Sequence, residues 1–467
     1  MCKDKQRPKL PEGEQGLLFD PAGHAGRTPG GGTTRQARQA ALASRLTEQR
    51  SLTVNILDKI ASYGALGEAF QAVQHNGGAA GIDGVTVEQY AAEVSNQVQQ
   101  LHTALLTETY RPQAVRGVQI PKASGGTRQL GIPTIADRVV QQSIQTALQV
   151  VYDPYFSTYS YGFRPGRSAG QAVEQAAKYV QEGNIWVVDI DLKNFFDEIN
   201  HDRLMSRLGK AITDKRLLTL IRRYLRAGLM QDGLVSQRVA GTPQGGPLSP
   251  LLSNIVLDEL DGELEARGLS FARYADDCNI FVGSKRAAER VLTSLIRFIE
   301  ETLKLKVNRE KSGVRRCDEV KFLGYTIETN GKIRVADEGV ERFKRKLRTM
   351  TKRNRSIPGK RLIQEVNQAL QGWAAYYRSC TTWLDTFSQL DGWIRKRLRC
   401  YLLKQHQRRY PTYCFLRTLG LNQRHAWNAV LYRAWWAMAN YAPVRNAMGI
   451  QWFASQGLRS IAKIQRG

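Results

Sequence analysis

Residues 271–283 read Phe-Ala-Arg-Tyr-Ala-Asp-Asp-Cys-Asn-Ile-Phe-Val-Gly, and no other stretch constrains the fold as tightly. The segment is dominated by apolar and aromatic groups and has the makings of a buried strand. Asp276 and Asp277 stand side by side in its middle. Taken alone, they could be the tip of a hairpin joining Phe271–Tyr274 to Asn279–Val282, since aspartate is a turn former. They are not alone. Ile185-Trp186-Val187-Val188-Asp189-Ile190-Asp191 is a second β-rich run, and it too ends on a carboxylate. If the two runs pair, three carboxylates converge, and like charges that close raise one another's pKa. A divalent cation relieves that repulsion. Oxygen-only ligation by a few carboxylates suits Mg²⁺, which keeps waters and takes further ligands from substrate phosphates. Two such ions about 3.5–4 Å apart can activate a 3′-hydroxyl and stabilise a leaving pyrophosphate. Asp189 competes with Asp191 for this role, because period two puts both on one face of the strand.

The charge balance points to the partner. Sixty-eight Lys and Arg against 42 Asp and Glu give a net +26, so a polyanion is the default ligand. No run approaches the roughly 18 apolar residues of a spanning helix, so no membrane partner is expected. The N-terminus shows no apolar signal core, and Asp4, Glu12 and Glu14 speak against a transit peptide. The six cysteines form no C-x-x-C pair and the six histidines are scattered, so no zinc spacing appears.

Residues 1–50 are poor in large apolar groups and read as a basic mobile arm, with a helix from about Arg35. Residues 115–135 read as a hairpin around Ser124-Gly125-Gly126, followed by helix to about Val151. Another helix is expected from Pro250 to about Arg267. Residues 341–410 hold 18 Lys or Arg and four Asp or Glu, more than half the net charge of the chain. Trp373, Tyr376, Tyr377, Trp393 and Tyr401 are interleaved there, a pattern that suits nucleic-acid contact better than a merely solvated face.

Tyr274-Ala275-Asp276-Asp277 matches the Y-x-D-D signature of reverse transcriptases, and Asp191-Leu192 followed by Phe195-Phe196-Asp197 matches their first catalytic motif. Four letters are weak evidence; the ordered set is strong. Tyr161–Ser168, Gly241–Pro250, Leu305–Lys311 and Phe322–Tyr325 occur in the family's order, and Gln371–Arg378 with Leu390–Arg395 resembles the maturase (X) region. The chain therefore resembles a group II intron-encoded reverse transcriptase/maturase over about residues 55–460.

The resemblance implies an α+β right-hand polymerase whose fingers and palm carry an antiparallel palm sheet, followed by an all-α thumb/maturase region. Fingers and palm would occupy 51–335, the thumb/maturase domain 336–410, and a helical DNA-binding region 411–467. Asp191, Asp276 and Asp277, with the Leu192 carbonyl, would hold two Mg²⁺ ions. Lys311 would be the general acid or a phosphate contact. Lys122, Arg128, Leu192, Phe195, Phe196 and Gln244 would line the site of the incoming dNTP. Phe196 would exclude a 2′-hydroxyl, one of Phe195 and Phe196 being core. Gly245, Gly324 and Tyr325 would support primer and template, and Arg395, Lys396, Arg397 and Arg399 would contact RNA.

The implied partners are the intron RNA, an RNA template with DNA primer, dNTPs and target DNA. The implied setting is a bacterial cytoplasm. The implied function is RNA-directed DNA synthesis with maturase-assisted splicing and mobility by target-primed reverse transcription. Many relatives carry an H-N-H nuclease with paired cysteines, which this sequence lacks, so nicks or replication forks are expected to supply its primers. A retron, diversity-generating or CRISPR-associated polymerase, or an idle RNA-binding splicing factor, is the alternative. Intact acids and maturase-like helices disfavour all of these.

Overall fold

The computed structural model describes residues 35–121, 127–231, 234–236, 240–242 and 245–464. A short unit, Met1–Leu42, is described only where its helix begins at Arg35; the main unit is Ala43–Gly467. Among the described residues ten strands punctuate a largely helical chain: β1 (Val115–Pro121), β2 (Thr127–Ile132), β3 (Trp186–Ile190), β4 (Leu229–Gln231), β5 (Leu234–Ser236), β6 (Ser270–Tyr274), β7 (Asp277–Val282), β8 (Gly313–Arg316), β9 (Tyr325–Ile327) and β10 (Ile333–Val335).

The central sheet has the order β6-β7-β3-β8 and is antiparallel throughout. Its strands alternate between two hydrophobic cores, as a period of two requires when both faces are covered. Val188, Ile190, Phe271, Cys278 and Ile280 enter the first core. Val187, Ala272 and Phe281 enter the second. The first core is completed by helices such as Ile135–Tyr152 and Lys215–Arg226. The latter buries Leu217, Leu220, Ile221, Tyr224 and Leu225 at helical spacing and leaves its arginines outside. Each such large apolar side chain contributes about 1.5–3 kcal/mol on full burial.

The expected 115–135 hairpin is present, β1 pairing with β2 in antiparallel register. It is half of a larger sheet, β2-β1-β4-β5, in which β1 and β4 run parallel. Among the described residues no strand follows Val335, and the rest is helical. The second core runs without a break from the central sheet through the helices Asp337–Met350, Gly359–Tyr376 and Trp383–Gln405 to Leu416, Met438 and Phe453. The architecture is thus α+β with an antiparallel central sheet and a helical C-terminal region, as the sequence led us to expect. Among the described residues no helix is long and apolar enough to cross a membrane.

Candidate active site

The β6–β7 hairpin turns through Ala275 and Asp276, with Tyr274 opposite Asp277. Ala275 has φ 57°, a left-handed conformation that costs a non-glycine residue on the order of 1 kcal/mol or more. The surroundings hold it there. Arg273 is fully buried and uses every donor of its guanidinium. Nε and Nη2 donate to the two Asp261 oxygens (2.6 and 2.5 Å), Nη2 also to Ser160 Oγ (2.8 Å), and Nη1 to Asn254 Oδ1 (3.1 Å) and the Ala275 carbonyl (2.8 Å). Gly162 packs so closely that a Cβ there would overlap the Ala275 nitrogen. The Asn254 side chain in turn donates to the Gly162 carbonyl at 2.8 Å. Tyr161 and Arg273 exchange strand-like contacts with neighbouring backbone, Tyr161 N–H donating to the Arg273 carbonyl at 2.8 Å. The Tyr161–Ser168 motif therefore buttresses the turn that carries the two aspartates.

Asp191 follows the last residue of β3, one strand away. Its backbone N–H donates to Ser312 Oγ (2.9 Å) and its carbonyl accepts from Asn308 N–H (2.8 Å). Asn308 Nδ2 donates to Asp191 Oδ2 at 2.9 Å, and Lys311 Nζ stands 4.0 Å from the same oxygen. A bridge between Leu192 and Val307 anchors the two segments. The Leu305–Lys311 motif thus wraps the carboxylate that begins the Asp191–Asp197 motif. After Asn194, at φ 48°, a short helix Phe195–Glu198 starts. Thr242 N–H donates to the Phe196 carbonyl at 2.7 Å, and a Cβ on Gly241 would stand 2.7 Å from the Asp197 Cα, so the Gly241–Pro250 motif docks on the same helix.

The electrostatics match this convergence. Asp277 is exposed at the start of β7, yet the protein packed around it, through desolvation first and then the charges of Asp189, Asp276 and Asp191, pushes its carboxyl up to about 7. Asp189 is also raised, chiefly by burial, although Arg315 Nη1 lies 2.9 Å from it. That ion pair separates the rivals on β3: Asp189 is neutralised within the fold, whereas Asp191 is held by an amide and approached by a flexible lysine. Among the described residues no three His, Cys, Asp or Glu side chains close around one point, so the aspartates are neighbours at a sheet end rather than a finished cage.

The other expected site residues divide. Phe195 is a correction: it is 3% exposed and belongs to the core, while Phe196 beside it is half-buried. Tyr325 is also corrected, being fully buried with its hydroxyl donating to the Tyr376 carbonyl at 2.6 Å. Its neighbour Gly324, at φ 81°, lies where a Cβ would stand 2.9 Å from the Tyr377 hydroxyl. Arg399 is corrected in part: it is 5% exposed and its Nε and Nη1 donate to the Ala439 and Met448 carbonyls (3.1 and 3.2 Å), so most of its guanidinium is engaged inside the fold. Arg397 is partly buried and donates to Thr351 Oγ1 at 3.1 Å. Lys396 sits 3.9 Å over the Trp436 ring, and Arg395 is half-buried. A Cβ on Gly245, at φ 126°, would stand 2.7 Å from the Gly131 carbonyl, which ties it to β2. Arg128 lies in β2 opposite Ile120; its side chain, Lys122 and Gln244 fall outside the described residues. The sequence reading passed over Arg273, Asp261 and Asn308. Arg273 carried a signal, since a charge within an apolar strand needs a buried partner.

Comparison with known proteins bears on the same segments. Residues 120–327 match the family described as reverse transcriptase (RNA-dependent DNA polymerase), and residues 340–418 match the group II intron maturase-specific domain. The protein YkfC of Escherichia coli (strain K12) is 33% identical over 53% of this chain and 75% of its own length. The group II intron-encoded protein LtrA of Lactococcus lactis subsp. cremoris is 30% identical over 57% of this chain and 56% of its own. A putative COX1/OXI3 intron 2 protein of Saccharomyces cerevisiae is 30% identical over 53% of this chain. This chain spans about a third of that yeast protein's length and just over half of LtrA's.

Proposed function

Because this chain belongs to the family of group II intron-encoded reverse transcriptases and maturases, we propose that it copies RNA into DNA at the sheet end formed by Asp191, Asp276 and Asp277, and that its helical region binds intron RNA and assists splicing. Intron RNA and a nucleic-acid template are the partners its two domains imply. The reading extends to dNTPs and target DNA as further partners, to mobility by target-primed reverse transcription, and to a cytoplasmic, bacterial setting.

One observation carries the catalytic reading: Asp191, Asp276 and Asp277 stand together at one end of two paired strands, where burial first, and then the charges of Asp189, Asp276 and Asp191, push the Asp277 carboxyl up to about 7. A cluster that disfavours its own ionisation needs a cation. Its donors are all oxygens, the only nearby sulfur being the fully buried Cys278, and this set fits a hard divalent ion that keeps waters and phosphate oxygens. Asp191, Asp276 and the Leu192 carbonyl would hold two Mg²⁺, with Asp277 beside them. Those ions would supply positive charge at the primer 3′-hydroxyl and the leaving pyrophosphate.

The chain's own groups do the rest. Asn308 fixes one Asp191 oxygen, so the carboxylate presents the other. Lys311, exposed and 4.0 Å from Asp191, lies where a proton or a positive charge would meet the pyrophosphate. Phe196, half-buried beside the core, would stand beneath the incoming sugar. Arg273 holds the turn, so Asp276 does not have to be ordered at the moment of reaction. The test is primer extension on an RNA template with Mg²⁺ and dNTPs, wild type beside Asp276→Ala. Synthesis by wild type alone, with intron RNA binding equal in both, is the expected result. Equal synthesis by both would remove the aspartate from catalysis.

A further inference from the structure

The long helix Trp383–Gln405 and the segment 445–452 enclose an open pocket with a volume of ≈ 630 Å³. Arg395, Arg399 and Arg445 line it, together with Gly392, Ile450 and Trp452, and no carboxylate does. Several other arginines of this chain are matched with acids. Arg273 has Asp261, Arg164 has Asp153, Arg216 has Asp58 and Asp214, and Arg355 has Glu365. No Asp or Glu plays that part among the residues lining this pocket. Arg395 and Arg445 make no ion pair and no hydrogen bond among the described residues. Arg399 is fastened through Nε and Nη1 to two carbonyls, which bear no net charge. Asp391, the acid nearest in sequence, is occupied by Ser460 Oγ (2.5 Å) and by the backbone N–H of Ile461 (3.0 Å).

We propose that this pocket is a site for the phosphodiester backbone of a nucleic-acid strand, with RNA as its first occupant. Three guanidiniums facing one hollow without an acid repel one another, and a phosphate both neutralises and bridges them. Burial first, then the charges of Arg395 and Arg445, pull Arg399 down to about 10, which is the strain an anion would release. The volume exceeds what a lone ion needs and lies within the range of sites that take organic ligands. Trp452 adds a flat apolar face on which a sugar or base can rest. The choice of RNA rests on the proposed maturase reading; the choice of a phosphodiester rests on the pocket alone.

The experiment uses the full chain and the double variant Arg395→Gln/Arg445→Gln. Arg399 is left in place, because its two carbonyl bonds hold the fold. Binding of a short single-stranded RNA, and of DNA of the same sequence, is measured across a salt series, with thermal melting as the control for folding. The expected result is an unchanged melting midpoint with RNA affinity lowered roughly tenfold or more at about 0.1 M salt, and a salt slope shallower by about 1.4, the share of two phosphate contacts. Loss on DNA as well supports the site as a general backbone contact; loss on DNA alone overturns RNA as its occupant. Unchanged affinity and slope on both strands overturn the proposal. A wild type that binds RNA but makes no DNA would overturn the polymerase reading and leave this measurement intact.

Discussion

Asp277 ties the site to the stability of the whole chain through one proton. Its carboxyl is raised from 3.8 to about 7. Between those values the folded chain holds a proton that the unfolded chain has released. Stability therefore falls as pH rises through that window and levels off above about 7. In metal-free protein, Asp277→Asn should melt above wild type beyond about pH 7, with the gap closing towards about pH 4. Parallel melting profiles for the two proteins would show that the crowding is relieved some other way. Phe196 makes a second residue-scale prediction. With Phe195 in the core, only Phe196 is left partly open, and Phe196→Ala should raise ribonucleotide use in primer extension. Continued rejection would place both rings in the core. The acids were legible in the sequence because two carboxylates in apolar β runs have few uses. Tyr325 and Arg399 were not, because an aromatic hydroxyl or a guanidinium looks solvent-seeking until carbonyls from distant helices supply its partners.

At the scale of elements, the β6–β7 turn is held from behind. Arg273→Met should cost about 3–5 kcal/mol in chemical denaturation, since it leaves Asp261 charged and buried without a partner. The double variant Arg273→Met/Asp261→Leu should recover much of that stability but not DNA synthesis, because the Ala275 carbonyl stays unheld. If the double variant synthesises DNA normally, the arginine does not position the turn. Gly162→Ala pushes on the same backbone from the other side and should lower synthesis by up to about a hundredfold, the cost of a misplacement near 1 Å. Fold legibility divides along similar lines. β1, β2, β3, β6 and β7 could be read from local pattern. The parallel β1–β4 pairing could not, for it joins residues 115–116 to 229–230 through β4, a strand of three residues that carries little periodic signal.

For the molecule as a whole, the continuous second core matters more than the composition boundary near residue 410. Leu398 and Leu403 of the long helix share one core with Leu416, Met438 and Phe453. A chain cut after residue 410 should melt well below the full chain or aggregate, rather than behave as a trimmed polymerase. An unchanged melting midpoint would make the last helices an independent unit. The net charge of +26 was readable at once, but where it acts was not, because some arginines of the basic region turn inward. The order of strands in the central sheet also bears on how the chain is made. β3 sits between β7 and β8, yet it leaves the ribosome about 90 residues before the one and about 125 before the other. At about 5–20 residues per second, an apolar strand meant for two covered faces waits several seconds for both neighbours. A nascent chain of this protein is therefore a natural client for chaperones during the interval between its two halves.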